Sequence, residues 1–246
     1  MKLTLFADGH VGQAIYHWLA DEWLDDLALV VTTSDNDISR SAKEKGIPTC
    51  QFTSSEQVLV FCSELGAQLD LGLLAWWPKI IEPQLLGVPA HGFINTHPSL
   101  LPFNRGKHYN FWAIVEEAPF GVTLHRVDAG VDTGDIVGQQ TIPYTWLDTG
   151  QSLYEKASEA IIELVKQTYP SLRTLEFPSR PQPIGVGSFH RAKELDTASE
   201  IHLDETYTGR QLINLLRART FPPHPACWFI DGEEKFEIRV EIGPKN

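Results

Sequence analysis

The chain has 246 residues, 42% of them hydrophobic, enough to bury a core in one domain or in one domain with a small extension. A formal net charge of −12 speaks against a broad nucleic-acid surface, which needs clustered Lys and Arg, and is read as solubility. No run approaches the ~18 uncharged apolar residues of a membrane helix. The first residues turn acidic too soon for a signal peptide, and Cys50, Cys62 and Cys227 show no paired spacing. A reducing cytoplasm fits, with no disulfide framework and no cysteine metal site.

Residues 2–6 read as a first buried strand, followed by Asp8-Gly9-His10-Val11-Gly12. Val11, Ala14, Ile15, Trp18 and Leu19 then recur at helical spacing. Strand, glycine turn and helix open a Rossmann-like unit, but only two of the glycines of a dinucleotide fingerprint are present. The turn is therefore read as close helix–strand packing. A second strand is expected over 27–32, a helix over 39–45 stopped by Gly46, and a short third strand after Ile47. Ser54 or Ser55 can cap the next helix. A fourth buried strand over 70–74 runs into Ala75-Trp76-Trp77-Pro78-Lys79. Strands alternating with helices predict an α/β, Rossmann-like, mainly parallel sheet flanked by helices.

The stretch 92–140 carries the chemistry. An apolar strand end, Gly92-Phe93-Ile94, stops at Asn95-Thr96-His97-Pro98-Ser99. Polar groups at strand exits are where an open α/β sheet places a site. Asn95 and His97 stand two apart, so on an extended segment both leave the same face. The loop Arg105-Gly106-Lys107-His108, ahead of a helix beginning near Tyr109, is a basic patch suited to a diphosphate or, equally, an ordinary solvated loop. A second β-like run over 121–127 leads into the turn 128–135, whose carboxylates can reach an imidazole. Asn95 can donate to a developing oxyanion. His97 can polarise the same oxygen or take a proton, and one of the turn's carboxylates, if it meets His97, would orient it.

Beyond the turn, another strand is expected over 136–142 and a helix over 153–167, capped by Thr149. Pro178, Pro181, Pro183, Gly185 and Gly187 mark a linker or irregular loop. A helix over 209–218 and a hairpin around Asp231-Gly232 form the tail. Such a small element should pack on the first domain or on a partner subunit. The expected organisation is a catalytic domain over 1–177 and a small C-terminal helix plus β-hairpin extension over 178–246.

Two motifs, Asn95-Thr96-His97-Pro98-Ser99-Leu100-Leu101-Pro102 with Arg105-Gly106, and Gly121-Val122-Thr123-Leu124-His125 with Asp132-Thr133-Gly134-Asp135-Ile136, resemble the formyltransferase family that uses N10-formyltetrahydrofolate. Asp132 falls seven residues after His125, and the order of the motifs makes the signal specific. The resemblance implies Asn95, His97 and Asp132 as the catalytic set. It implies that Trp76, Trp77 and Pro78, with Asp135, line or support the folate pocket. Lys79, Arg105, Lys107 and His108 are assigned to the acceptor. Methionyl-tRNA formyltransferases are longer with a basic C-terminal domain. Glycinamide ribonucleotide formyltransferases carry a Gly/Ser phosphate loop that Asp8-Gly9-His10 lacks. The chain looks most like the nucleotide-sugar N-formyltransferases, whose acceptors are usually dTDP-linked 4-amino-4,6-dideoxy sugars destined for O-antigen or other surface glycans, and whose members are commonly homodimers. No nucleic acid, membrane or metal is expected. Two rival classes start from other features: a metal-dependent hydrolase from His91, His97, His108 and His125 with Asp132 and Asp135, and a nucleotide-binding module on the Asp8–Gly12 turn. The first lacks tight ligand spacing, and the second leaves the Asn95 cluster without a role.

Overall fold

The computed structural model describes residues 1–245. The elements in chain order are β1 (Leu3–Ala7), α1 (Gly9–Glu22), β2 (Leu27–Thr32), α2 (Asp37–Glu44), β3 (Thr49–Gln51), α3 (Ser55–Leu65), β4 (Leu71–Ala75), α4 (Pro83–Leu86) and β5 (Phe93–His97). They continue with β6 (Arg105–Gly106), α5 (Tyr109–Val115), β7 (Gly121–Arg126), β8 (Ile136–Thr141), α6 (Gly150–Arg173), β9 (Phe189–His190), α7 (Glu194–Ala198), α8 (Gly209–Ala218), β10 (Cys227–Asp231) and β11 (Glu234–Ile238).

Seven strands form one sheet in the order β3-β2-β1-β4-β5-β7-β8. The pairs β3–β2, β2–β1, β1–β4 and β4–β5 are parallel, and β7 joins β5 antiparallel. The expected α/β, Rossmann-like architecture is what the chain adopts. Strand order reverses between β1 and β4, and open α/β sheets bind ligands beside the carboxyl ends of the strands at such a switch point.

The chain divides into two compact units, one of residues 1–97, 123–139 and 161–182, the other of residues 98–122, 140–160 and 183–246. In the first unit, β1 and β4 are buried throughout, as strands covered on both faces must be. One core cluster gathers Phe6, Leu29, Val31, Leu74, Trp77, Leu85 and Phe93. Helix α1 buries Val11, Ile15, Tyr16 and Leu19. Gly12 permits its close approach to the sheet, because a Cβ there would lie 2.8 Å from the Ala75 carbonyl oxygen.

Capping follows the sequence closely. Ser54 accepts from the Gln57 N–H at 3.2 Å, and Gly66 ends α3 with φ +60°. Helix α2 starts two residues before the expected 39, because Asn36 and Ser39 form a reciprocal capping box. Helix α6 also runs six residues past the expected 167, through Pro170. A proline there forfeits one helical hydrogen bond. The extra turns are held because Tyr169 is fully buried beside Trp18 and Trp23, and because Tyr169 and Arg173 both donate to Asp26, at 3.1 and 2.7 Å.

In the second unit, α8 packs on α5. Thr208 and Gln211 cap α8 reciprocally. Arg217, buried on α8, donates to the carbonyl oxygens of Thr145 and Asp148, both at 2.8 Å. Strands β10 and β11 form the expected hairpin, with Phe229 opposite Phe236. The Pro/Gly-rich stretch is irregular, as expected, and just past it β9 pairs in parallel with β6, setting Arg105 against Phe189 and Gly106 against His190.

Candidate active site

Strand β5 ends in Asn95-Thr96-His97, and its antiparallel register with β7 places Asn95 opposite His125 and His97 opposite Thr123. The 128–135 turn then returns a carboxylate to the same place. Asp132 Oδ2 stands 3.5 Å from His97 Nδ1, and Oδ1 stands 3.6 Å from His125 Nε2. All three side chains are largely buried, at 6%, 3% and 13% exposure for His97, His125 and Asp132. Little water competes for their charges.

The tautomers follow from the partners. His125 Nδ1 lies 2.8 Å from the carbonyl oxygen of Arg126, an acceptor only, so that nitrogen carries the proton. In the neutral ring Nε2 is then an acceptor, and the Asn95 amide nitrogen donates to it at 3.1 Å. This orients the Asn95 amide and leaves its second N–H to the other side. On His97, Nδ1 faces the Asp132 carboxylate. The arrangement therefore presents an amide donor and an imidazole nitrogen from one strand end, with a carboxylate behind the imidazole.

The turn that carries Asp132 is tightly specified. Asp132 has φ +54°, a left-handed conformation that Asp tolerates better than most residues. Asp128 accepts from the Gly130 N–H at 3.0 Å and from the Thr133 hydroxyl at 2.6 Å. A Cβ on Gly134 would lie 1.9 Å from the Arg126 carbonyl oxygen, so no side chain fits there. Gln182, from the Pro-rich segment, donates to the carbonyl oxygens of Asp132 and Gly134, both at 2.8 Å.

The two tryptophans after β4 part company. Trp77 is in the core, edge-on to Phe6 and Phe52 at 5.1 and 5.4 Å. Trp76, half-buried with φ +57°, is pinned by its backbone N–H to Thr96 Oγ1 at 2.9 Å; that hydroxyl in turn donates to the Leu74 carbonyl at 2.8 Å. Its ring lies beside Gly9 and His10. Pro78 and Lys79 are exposed, with the Lys79 ammonium 5.8 Å from the Phe52 ring centre. Asp135 accepts from Ser179 at 3.1 Å. At the start of α1 the protein supplies its own anion: Asp8 accepts from the Gly9 N–H at 2.8 Å and also from the Thr33 hydroxyl. A carboxylate thus occupies the helix end where a dinucleotide fold would hold phosphate.

The remaining predicted residues belong to the second unit. The Arg105 side chain is half-buried, and Lys107 is exposed with its backbone N–H bonded to the His190 carbonyl at 3.0 Å. Burial, then the positive charges of Arg219 and Lys107, push His108 below its ordinary value, so it is uncharged at neutral pH. The basic patch therefore has two cations rather than three. A polar cluster secures this loop: Asn104 and Ser188 both donate to Glu116, at 2.9 and 2.7 Å, and His190, stacked on Trp112 at 3.8 Å, meets the same carboxylate at 2.7 Å.

Among the described residues no group of three or more His, Cys, Asp and Glu is placed to hold a metal ion, and no helix is long and apolar enough to cross a membrane.

The formyl transferase family matches residues 1–168, and the N-formyltransferase dimerization C-terminal domain matches residues 194–244. The chain belongs to the formyl transferase family, the one its two motifs resemble. It is 29% identical over 207 residues to the methionyl-tRNA formyltransferase of Thermodesulfovibrio yellowstonii, covering 84% of this chain and 66% of that protein, so it spans just under two thirds of that relative's length. It is 28% identical over 201 residues to the dTDP-4-amino-4,6-dideoxyglucose formyltransferase of Mycobacterium bovis, covering 81% of this chain and 82% of the relative. A sugar N-formyltransferase from Shewanella sp. FDAARGOS_354 shares the fold over 100% of this chain and 99% of its own, with a TM-score of 0.82 at 20% identity. The formyltransferase PseJ from Anoxybacillus kamchatkensis, solved with UDP-4,6-dideoxy-4-formamido-L-AltNAc and tetrahydrofolate, matches 80% of this chain and 89% of its own, with a TM-score of 0.60 at 27% identity.

Proposed function

We propose that this protein transfers the formyl group of N10-formyltetrahydrofolate to the amine of a dTDP-linked 4-amino-4,6-dideoxy sugar, for O-antigen or another surface glycan. The observation that carries the reading is the Asp132 carboxylate 3.5 Å from His97 Nδ1, beside the oriented amide of Asn95. The sugar amine attacks the formyl carbon, and negative charge gathers on the formyl oxygen. The second N–H of Asn95 donates to that oxygen, as an oxyanion-hole side chain does. His97 Nε2 takes the proton the attacking amine loses and returns it to N10 as the carbon–N10 bond breaks. Asp132 stabilises the imidazolium formed between these steps. Trp76, Trp77, Pro78 and Asp135 line or support the folate site, and Lys79, Arg105, Lys107 and His108 serve the acceptor, with Arg105 and Lys107 supplying charge for a diphosphate.

The dTDP-amino-sugar activity of the Mycobacterium bovis relative supports the acceptor, and the tetrahydrofolate in the PseJ structure supports the donor. The charge of −12 argues against an RNA acceptor. The catalytic domain spans 1–177. The extension over 178–246 makes a homodimer, in keeping with the dimerization domain that matches it, and the enzyme works in the cytoplasm. The test is mass spectrometry of a reaction with N10-formyltetrahydrofolate and dTDP-4-amino-4,6-dideoxyglucose. A sugar nucleotide heavier by one formyl group in place of a hydrogen is expected. Formylation of methionyl-tRNA instead would overturn the acceptor.

A further inference from the structure

Residues 169–193 lie between the two family matches. Within them the segment 179–182 is clipped along β8 and the catalytic turn. Arg180 and Ile136 exchange both backbone hydrogen bonds, at 2.8 and 2.9 Å. Arg180 also reaches Gln139, and Ser179 reaches Asp135. Pro181 has no N–H with which to extend this pairing, and Pro183 confines Gln182 to extended backbone. The Gln182 side chain is thus delivered to the turn by a stiff segment.

Its carboxamide spends both protons on the turn, one on the Asp132 carbonyl and one on the Gly134 carbonyl. The opposite orientation would set an oxygen against two oxygens, so the partners assign the amide. Oε1 is left buried without a hydrogen-bond partner among the described residues. A buried acceptor left unsatisfied is a cost that the paired donation must offset. We propose that Gln182 is a positioning residue for formyl transfer: it holds Asp132 in its left-handed conformation, so that the carboxylate meets His97. This rests on the catalytic role given to Asp132 above.

The experiment compares the wild type with Gln182→Ala, Gln182→Glu, Asp132→Asn and the Gln182→Ala/Asp132→Asn double variant. Turnover is read by formyl transfer, and imidazole geometry by NMR of the histidine rings. In Gln182→Ala, kcat falls about tenfold or more with both KM values within about twofold, since small displacements of a catalytic group cost this much. Gln182→Glu keeps the size but has no proton to donate when ionised, and it loses at least as much. A role limited to filling space would leave it near wild type. In the Asp132→Asn background, Gln182→Ala causes no further fall, because the two act through one group. The His97 and His125 ring signals move in Gln182→Ala while those of exposed His202 stay. A wild-type kcat in Gln182→Ala, an undiminished loss in the Asp132→Asn background, or unmoved His97 signals would each overturn the proposal. The ring signals need no turnover, so they decide the matter even if the acceptor has been misassigned.

Discussion

Asp132→Asn tests the charge at the centre of the site with little disturbance elsewhere. Asparagine is nearly isosteric and accepts a φ of +54° about as readily as aspartate, so the turn keeps its shape. What disappears is the negative charge 3.5 Å from His97 Nδ1. At an effective dielectric of about 20, a full charge at that distance stabilises an imidazolium by about 4 to 5 kcal/mol. The amide dipole and residual solvent recover roughly half of this, which leaves a loss of about 2–3 kcal/mol. If His97 carries the amine proton in the transition state, kcat falls by about 30- to 150-fold. The KM for folate and for sugar nucleotide should change little, because neither substrate binds through this charge. The assay is steady-state formyl transfer, varying each substrate with the other saturating. A kcat within threefold of wild type, or a loss expressed only in KM, would refute a protonated His97 as the acting species.

Gly134→Ala forces a methyl group to within 1.9 Å of the Arg126 carbonyl, so the turn must shift. Stability should fall by about 1–3 kcal/mol in a denaturant titration, and turnover by more than that loss of folded protein explains. Asp148 offers a pH test of the second unit. Burial pushes its carboxyl up, but hydrogen bonds from Lys156, the Thr145 backbone and Ser152 outweigh this and hold it below its ordinary value. A depressed folded pKa adds stability that is complete above the unfolded value of about 4 and is lost as pH falls through the folded one. Asp148→Asn should therefore destabilise by about 1–3 kcal/mol at pH 7, with the gap closing toward pH 3. A gap indifferent to pH would show that the charge contributes nothing.

Much of the fold could be read from local pattern. Strand runs such as Leu71–Ala75 are too continuously apolar to be anything but doubly covered, and Ser54 marks a helix start by its own chemistry. The Pro-rich segment was legible from its composition too. Prolines disfavour helix and interrupt pairing, so composition signals a linker or irregular loop, and residues 177–187 carry neither helix nor strand, only the bridge at Arg180.

By itself, the amino-acid sequence determined the α/β class, the placing of Asn95 and His97 on one strand end, and the family to which its two motifs belong. Spacing along a strand or helix is enough for such statements, because periodicity converts directly into faces. Tertiary structure alone decided how the groups are used. It sent Trp77 into the core and left Trp76 beside Gly9, and it carried α6 past Pro170 to reach Asp26. It gave Asp132 two histidine neighbours and brought Gln182 to its backbone from 50 residues away. Contacts between residues so far apart in the chain follow from how the packed elements meet, and no local pattern encodes that meeting.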